Sequence, residues 1–436
     1  MTPALPGRIY RPVLYLMFAT LAGDIILTAG FMLLRVPPGG AGVPVNQIAL
    51  AIGLAALVLS GRSLGDVTGT AAFAPLYGLW VLAAGHLILD VPRHGVWAIR
   101  DAANILESGF FVVGFALASD ERFRSALTRW LDLVFVCVAF YALLYPFQGQ
   151  LARFSPTISS MSGYEAPLFF NFVNTSSVAL TAVCHILLRK SWPPLVRATL
   201  AGLLVMWLIV FVQARITYLQ LVLLVALLAL FARRELREFA VVTLLAAVFA
   251  GLFLLSGIRL PGRLGQTFSL DFLMSHVQAI WGGGGEATRD AAEGVGLRMR
   301  WWAEIQGNLS RSPFDWFLGL GYGQPLTSFR GLSDDVVREP HNSYVSIYGR
   351  LGVVGITLFL AFLATIATAS ARLIDLARRS GNRELDAAAL TMTCFLGVHV
   401  IYAVGEGGME VSFIAAPFYF FAGAIAAMAR RGVEID

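Results

Sequence analysis

The residue best suited to acid–base chemistry is a histidine at the start of an apolar segment, in "PHNSYVSIYGRLGVVG". Pro340 ends any preceding helix, and Asn342 or Ser343 is well suited to cap a helix that begins at Tyr344. The positive end of that helix favours a nearby anion and disfavours an imidazolium. His341 is therefore expected to be neutral and able to accept a proton, although a histidine with no role beyond preceding the cap is the alternative.

Three arginines could bind an anion near this histidine. Arg215 lies in "QARITY", at the turn between two apolar segments, and Arg298 and Arg300 flank a methionine before a pair of tryptophans in "LRMRWW". Guanidinium groups bind phosphate oxygens through two parallel hydrogen bonds, so these residues are candidate ligands of a diphosphate. Interfacial arginines that contact only lipid headgroups or water are the other interpretation.

Common metal-binding motifs are absent from the sequence. There is no HExxH, CxxC or Asp-x-Asp pattern, so no metal site is expected. We interpret Asp334 and Asp335 as solvated loop charges. Glu406 and Glu410, in "GEGGME", could orient other groups, but a hydrated turn is the favoured interpretation.

The composition is that of an integral membrane protein. Hydrophobic residues make up 57% of the 436 positions and charged residues 14%, with a mean hydropathy of +0.72. The three cysteines fall in apolar segments, which argues against disulfides and cysteine metal sites. About twelve segments are long enough to cross a bilayer as helices. They are 12–34, 44–60, 71–91, 103–119, 127–147, 168–188, 195–213, 216–232, 238–257, 344–371, 385–405 and 411–429.

Basic residues set the expected orientation, because lysine and arginine are retained on the cytoplasmic side. They cluster in alternate connections, which predicts that both termini are cytoplasmic. The net charge of +5 mostly reflects this bias, and no nucleic-acid partner is expected. The outward connections are then 35–43, 92–102, 148–167 and 258–343.

One of these connections is far longer than the others and predicts three divisions of the chain. They are helices 1 to 9 in residues 1–257, an outward loop domain in 258–343 and helices 10 to 12 in 344–436. Within the loop, apolar residues at helical spacing predict an amphipathic helix near the membrane surface. These residues are Leu297, Met299, Trp301, Trp302, Ile305 and Leu309. "WGGGG" (281–285) and "GLGYG" (319–323) are expected to be turns.

The motifs "RMRWWAEI", "GLGYG", "PHNSY" and "GRLGVVG", with this loop and helix number, resemble the O-antigen ligase and polymerase superfamily over 211–356. The resemblance implies an all-α, polytopic, GT-C-like fold in the bacterial inner membrane with a periplasmic active site. It implies metal-independent transfer of a polysaccharide from undecaprenyl diphosphate to the lipid A–core oligosaccharide, without a cofactor. An in-line displacement would invert the configuration at the sugar C1.

The resemblance also implies residue roles. His341 would be the general base, and Arg215 with one or both of Arg298 and Arg300 would bind the diphosphate. Asn342 and Tyr344 are further candidates that would orient the site.

Other functions remain open at this stage. An O-antigen polymerase or a protein O-oligosaccharyltransferase would use the same donor, and a single long loop favours the ligase. A twelve-helix transporter or lipid flippase would need ionisable groups deep in the membrane. Only Asp24, Glu107 and Asp132 qualify, without visible partners, and no internal repeat is apparent.

Overall fold

The computed structural model describes residues 7–37, 42–60, 65–159, 165–212, 214–256, 289–329 and 338–431. The α-helices in these ranges are α1 Gly7–Leu27, α2 Ala29–Met32, α3 Val45–Leu59, α4 Gly65–Thr68, α5 Phe73–His94, α6 Val96–Asp101, α7 Ala103–Glu107, α8 Phe110–Ala118, α9 Glu121–Ala142, α10 Gln148–Leu151, α11 Thr175–Leu188, α12 Pro194–Trp207, α13 Arg215–Phe231, α14 Arg233–Leu255, α15 Arg289–Leu309, α16 Pro313–Leu318, α17 Ser343–Arg379, α18 Arg383–Gly405 and α19 Ser412–Arg431. Two 3₁₀ turns (Tyr145–Phe147 and Ala152–Phe154) and a π-helical turn (Leu208–Val212) accompany them.

Strands occur only as two short antiparallel pairs in the described residues. β1 (Arg35–Val36) pairs with β2 (Val43–Pro44), and β3 (Thr157–Ser159) pairs with β4 (Glu165–Pro167). Both pairs lie in connections that we expect to face outward.

The predicted all-α membrane fold is confirmed, since every predicted apolar segment coincides with helix. Six helices of the described chain are long and apolar enough to cross a membrane. They are Tyr10–Leu27, Phe73–His94, Glu121–Ala142, Ser343–Arg379, Arg383–Gly405 and Ser412–Arg430. The other segments form shorter apolar helices, or begin with charged residues as α14 does. Twelve crossings and a GT-C-like arrangement therefore stay predictions.

The centre of the fold is α19, in which 94% of the residues in an 18-residue apolar stretch are buried. It packs closely against α8 because glycines replace side chains at the contact. A Cβ on Gly114 would lie 2.2 Å from the Phe420 carbonyl oxygen, and one on Gly423 would lie 2.0 Å from that of Phe111. Such close backbone approach is typical of helix pairs within membranes.

The tenth predicted segment, 344–371, is not one straight helix. α17 is interrupted at Gly352, which has φ 65° and ψ −164°. A side chain there would lie 2.3 Å from the Phe317 carbonyl oxygen, so both the backbone angle and the contact with α16 require glycine. The kink divides α17 into a short first section that carries the site and a long apolar section.

The fold gathers the basic connections at one end of the helices. Lys190 contacts Glu235, and Arg197 Nη1 lies 3.1 Å from Glu238 Oε2. Connections expected to face outward meet at the other end, where Arg338 Nη2 lies 2.7 Å from Asp101 Oδ2. This segregation follows the predicted pattern, while the orientation in a membrane stays a prediction.

The predicted amphipathic helix is present as α15. Trp301, Ile305 and Leu309 are buried on one face, as the pattern predicts. Met299 was wrongly assigned to that face, because its position two residues before Trp301 turns it outward and leaves it 55% exposed. The predicted turn at 281–285 lies outside the described residues, as do Asp334 and Asp335.

Two of the three intramembrane acids have partners that the sequence did not reveal. Asp132 is hydrogen-bonded to His185 and forms an ion pair with Arg189. Asp24 accepts a hydrogen bond from Asn46. Both carboxylates are therefore paired within the fold, as intramembrane acids usually are.

Candidate functional site

The start of α17 is fixed by the cap that the sequence predicts. Asn342 Oδ1 accepts a hydrogen bond from the Val345 N–H at 3.0 Å, while Asn342 Nδ2 donates to the Val404 carbonyl at 2.8 Å. Tyr344 donates to the Val400 carbonyl at 3.0 Å. Asn342 and Tyr344 therefore tie the first turn of α17 to the last turns of α18.

His341 precedes this cap and stands at the surface of the site. Its φ is 50°, an unusual value for a residue other than glycine, and its side chain is 49% exposed. The imidazole lies against Trp301, with ring centroids 5.7 Å apart. Trp302 donates to the Pro340 carbonyl at 3.1 Å, so both tryptophans of α15 hold this loop.

A carboxylate after the end of α18 joins His341 to one arginine. Glu406 Oε2 lies 3.3 Å from His341 Nδ1, and Glu406 Oε1 accepts a hydrogen bond from Arg298 Nη2 at 3.1 Å. Arg298 Nη1 also donates to the Gly405 carbonyl at 2.6 Å. Burial raises the pKa of Glu406, but the hydrogen bond with His341 and the charge of Arg298 outweigh this effect and keep the pKa below its usual value.

The structure separates the two candidate loop arginines. Arg300 is exposed, and among the described residues only its Nε has a partner, the Gly296 carbonyl of its own helix at 3.5 Å. Residues two apart on a helix point in different directions, so only Arg298 reaches His341's side of α15.

Arg215 begins α13, and its side chain lies outside what the structure describes. The neighbouring residues Ala214 and Ile216 line the same cavity as Glu406. The backbone at Arg215 is therefore close to the site.

That cavity has a volume of about 580 Å³ and lies between Glu406 and the loop before α11. Its size suits a small ligand or one or two sugar rings, since typical ligand pockets have volumes of about 300–1,000 Å³. Aromatic rings and amides share the lining: Tyr145, Gln148, Phe170, Asn171, Phe172, Asn174 and Trp207. Asn174 is buried, and its Oδ1 has no partner among the described residues.

A second polar network holds "GLGYG" (319–323) against α5, α6 and α17. Asp101 accepts hydrogen bonds from Arg338 Nη2 at 2.7 Å and from the Gly323 N–H at 3.1 Å. Arg350 Nη2 lies 3.0 Å from the same carboxylate. The Tyr322 N–H donates to Asp90 at 2.7 Å. The predicted turn is thus rigidly attached to α5, α6 and α17.

Glu339 and Glu410 line the same small cavity, together with Arg350. Glu410 Oε2 accepts a hydrogen bond from Ser343 at 2.6 Å, and Ser343 accepts one from the Met409 N–H at 3.0 Å. Burial and the charge of Glu410 raise the pKa of Glu339 to about 7, and burial also raises that of Glu410.

The interpretation of Glu406 and Glu410 as a hydrated turn is wrong. One carboxylate is paired with His341 and Arg298, and the other is enclosed against Ser343. The sequence signal was weak, because each partner of Glu406 lies more than 60 residues away in the chain. Asp101, Arg338 and Arg350 were missed for the same reason.

No group of three or more histidine, cysteine, aspartate or glutamate side chains could hold a metal within the described ranges. The site instead combines an imidazole, a carboxylate and a guanidinium group, and the carboxylate of Glu406 lines a cavity.

Comparison with protein families identifies this region. The O-antigen ligase family model matches residues 200–360. The match covers less than half of the chain and shows that this region is similar to the O-antigen ligase family. The expected resemblance is thus confirmed, and members of this family are glycosyl-transfer enzymes. His341, Arg215 and Arg298 lie within the match, whereas Glu406 lies beyond it. No curated protein sequence matches the chain significantly.

Proposed function

We propose that this protein is an O-antigen ligase of the bacterial inner membrane. It transfers a polysaccharide from undecaprenyl diphosphate to the lipid A–core oligosaccharide at the periplasmic face. The observation that carries the proposal is the contact of Glu406 with both His341 and Arg298, two residues that lie within the O-antigen ligase family match.

His341 acts as the general base in this mechanism. Hydrogen bonding of Nδ1–H to Glu406 leaves Nε2 free to take the proton of an acceptor hydroxyl. The oxygen of that hydroxyl attacks the sugar C1 while the bond from C1 to the diphosphate oxygen breaks. The charge of Glu406 then stabilises the imidazolium that forms, and a single displacement inverts the C1 configuration.

The leaving diphosphate needs positive charge rather than a proton. Arg298 is the arginine of α15 that lies on the same side of this helix as Glu406 and His341, and it supplies positive charge. The start of α13 at Arg215 contributes backbone N–H groups. Stabilising developing charge in this way replaces the role that a metal has in other glycosyltransferases. The reaction requires no metal, cofactor or ATP.

The aromatic and amide residues of the cavity suit a sugar. Aromatic faces pack on the apolar faces of sugar rings, and the amides of Asn171 and Asn174 can hydrogen-bond hydroxyl groups. The lipid tail of the donor remains outside, between helices, with its diphosphate at headgroup depth.

The product distinguishes the ligase from its relatives. Purified protein is incubated with an undecaprenyl-diphosphate glycan and lipid A–core in detergent with a chelator, and the products are separated by mass. Glycan linked to lipid A–core is expected. A longer lipid-linked glycan would indicate a polymerase, a modified protein would indicate an O-oligosaccharyltransferase, and no transfer with any acceptor would contradict an enzymatic role.

A further inference from the structure

A second polar pocket lies at the opposite end of the molecule from His341. It has a volume of about 240 Å³ and is formed by α9, the end of α11 with the following turn, and the start of α18. α18 runs from Arg383 at this pocket to Gly405 beside the catalytic site. Its 23 residues separate the two sites by about 34 Å.

The charged residues around this pocket are mainly basic: Arg129, Asp132, Arg189, Lys190, Arg383 and Glu384. Asp132 is already neutralised, because its carboxylate lies 2.9 Å from His185 Nε2 and 3.2 Å from Arg189 Nη2. Lys190 contacts Glu235 outside the pocket. The internal pairs therefore use the acid Asp132 and leave an excess of positive charge.

Two arginines retain binding capacity. The Arg383 side chain makes no hydrogen bond or ion pair with any described residue. The Arg129 side chain uses only Nε among these residues, which donates to the Ser125 carbonyl at 3.0 Å. The terminal nitrogens of both side chains are free to bind an anion. Since exposed Glu384 is the only unpaired acid in the described lining, an anionic ligand is favoured.

The rest of the lining is apolar and includes Leu131, Leu188, Ala387 and Ala388. Leu133, one residue beyond Asp132 on α9, is 65% exposed on the adjacent surface. A free inorganic anion gains nothing from apolar walls, whereas a phospholipid offers a phosphate joined to a glycerol and acyl chains. The other basic connections also lie at this end, where headgroups are expected.

We propose that this pocket binds the phosphate of an anionic phospholipid headgroup, with Arg383 and Arg129 as its ligands. The bound lipid links α9, α11 and α18 at the end remote from the catalytic site. This proposal does not depend on the reaction that the protein catalyses.

The test measures lipid binding directly. Detergent-purified protein is titrated with phosphatidylglycerol, with bound lipid counted by native mass spectrometry and thermal unfolding followed in parallel. Phosphatidylglycerol should bind and raise the Tm, while phosphatidylcholine and inorganic phosphate at equal concentrations should have little effect. The doubly substituted R129A/R383A protein should bind about 25-fold more weakly, about fivefold or 1 kcal/mol for each arginine.

Arg311→Ala is the matched control, because this exposed arginine follows α15 near the other end of the molecule. It should leave the titration unchanged. Both pocket arginines are exposed, so the doubly substituted protein should keep the elution volume and Tm of the lipid-free wild type. Equal phosphatidylglycerol binding by the wild-type and doubly substituted proteins would overturn the proposal. So would an equal response to inorganic phosphate or phosphatidylcholine, or no lipid binding by the wild type.

Discussion

Glu406→Gln tests how the carboxylate supports His341. Glutamine keeps the size of the side chain and one oxygen acceptor but removes the charge that contacts both His341 and Arg298. A hydrogen bond to a charged group contributes about 1.5–3 kcal/mol, and the lower half of this range applies because the Glu406 side chain is 36% exposed. A loss of about 1.5–2 kcal/mol in stabilising the imidazolium corresponds to a decrease of about 10- to 30-fold in kcat.

The assay is glycan transfer to lipid A–core, with kcat and KM determined separately for the lipid-linked donor. We expect the effect mainly in kcat, because the imidazolium exists only as the reaction proceeds. Glu121→Gln is the control, since this exposed carboxylate lies at the start of α9, away from the site. A folded Glu406→Gln protein with kcat within twofold of wild type would refute this reasoning.

Three further predictions follow from individual contacts. Arg298→Lys should reduce kcat/KM for the donor about tenfold, because the Arg298 side chain reaches Glu406. Arg300→Lys should change kcat/KM by less than twofold in the same assay, because Arg300 contacts only its own helix among the described residues. Equal effects of the two substitutions would contradict the different roles of these arginines. Glu339 has a pKa raised from 4.5 to about 7, so its protonation stabilises the fold most below pH 4.5, and this contribution is lost as the pH rises to about 7. The difference in Tm between Glu339→Gln and wild type should therefore increase from pH 5 to pH 8. A difference in Tm that does not change with pH would contradict the raised pKa of Glu339. Gly352→Ala should lower the free energy of unfolding by about 1–3 kcal/mol, because Gly352 has a positive φ and lies against Phe317. Gly85→Ala is the control and should not lower it, because the space around Gly85 is open. Equal Tm values for the two variants would show that the kink tolerates a side chain.

The helices could be predicted from the sequence because hydropathy records where each apolar segment begins and ends. The cap at Asn342 could also be predicted, since it depends on residues three positions apart. The kink at Gly352 could not, because its cause is the carbonyl of Phe317, on a separate short helix. A glycine in "GRLGVVG" indicates only that a close approach is permitted.

The site was predicted in part for similar reasons. His341 and the arginines have local signals, namely a helix start and neighbouring tryptophans. Their connection through Glu406 depends on α18 ending beside α15, which is a property of the tertiary fold. The sequence also could not choose between Arg298 and Arg300, because the direction of each side chain depends on how α15 is rotated against its neighbours.

The most direct test of the central claim is the rate of glycan transfer by His341→Ala in the presence of a chelator. Wild-type protein should form product without metal, and the variant should be at least about 100-fold slower with an unchanged Tm, because general base catalysis contributes about 10²–10⁴-fold. Transfer by the folded variant at a rate near that of wild type would contradict the account.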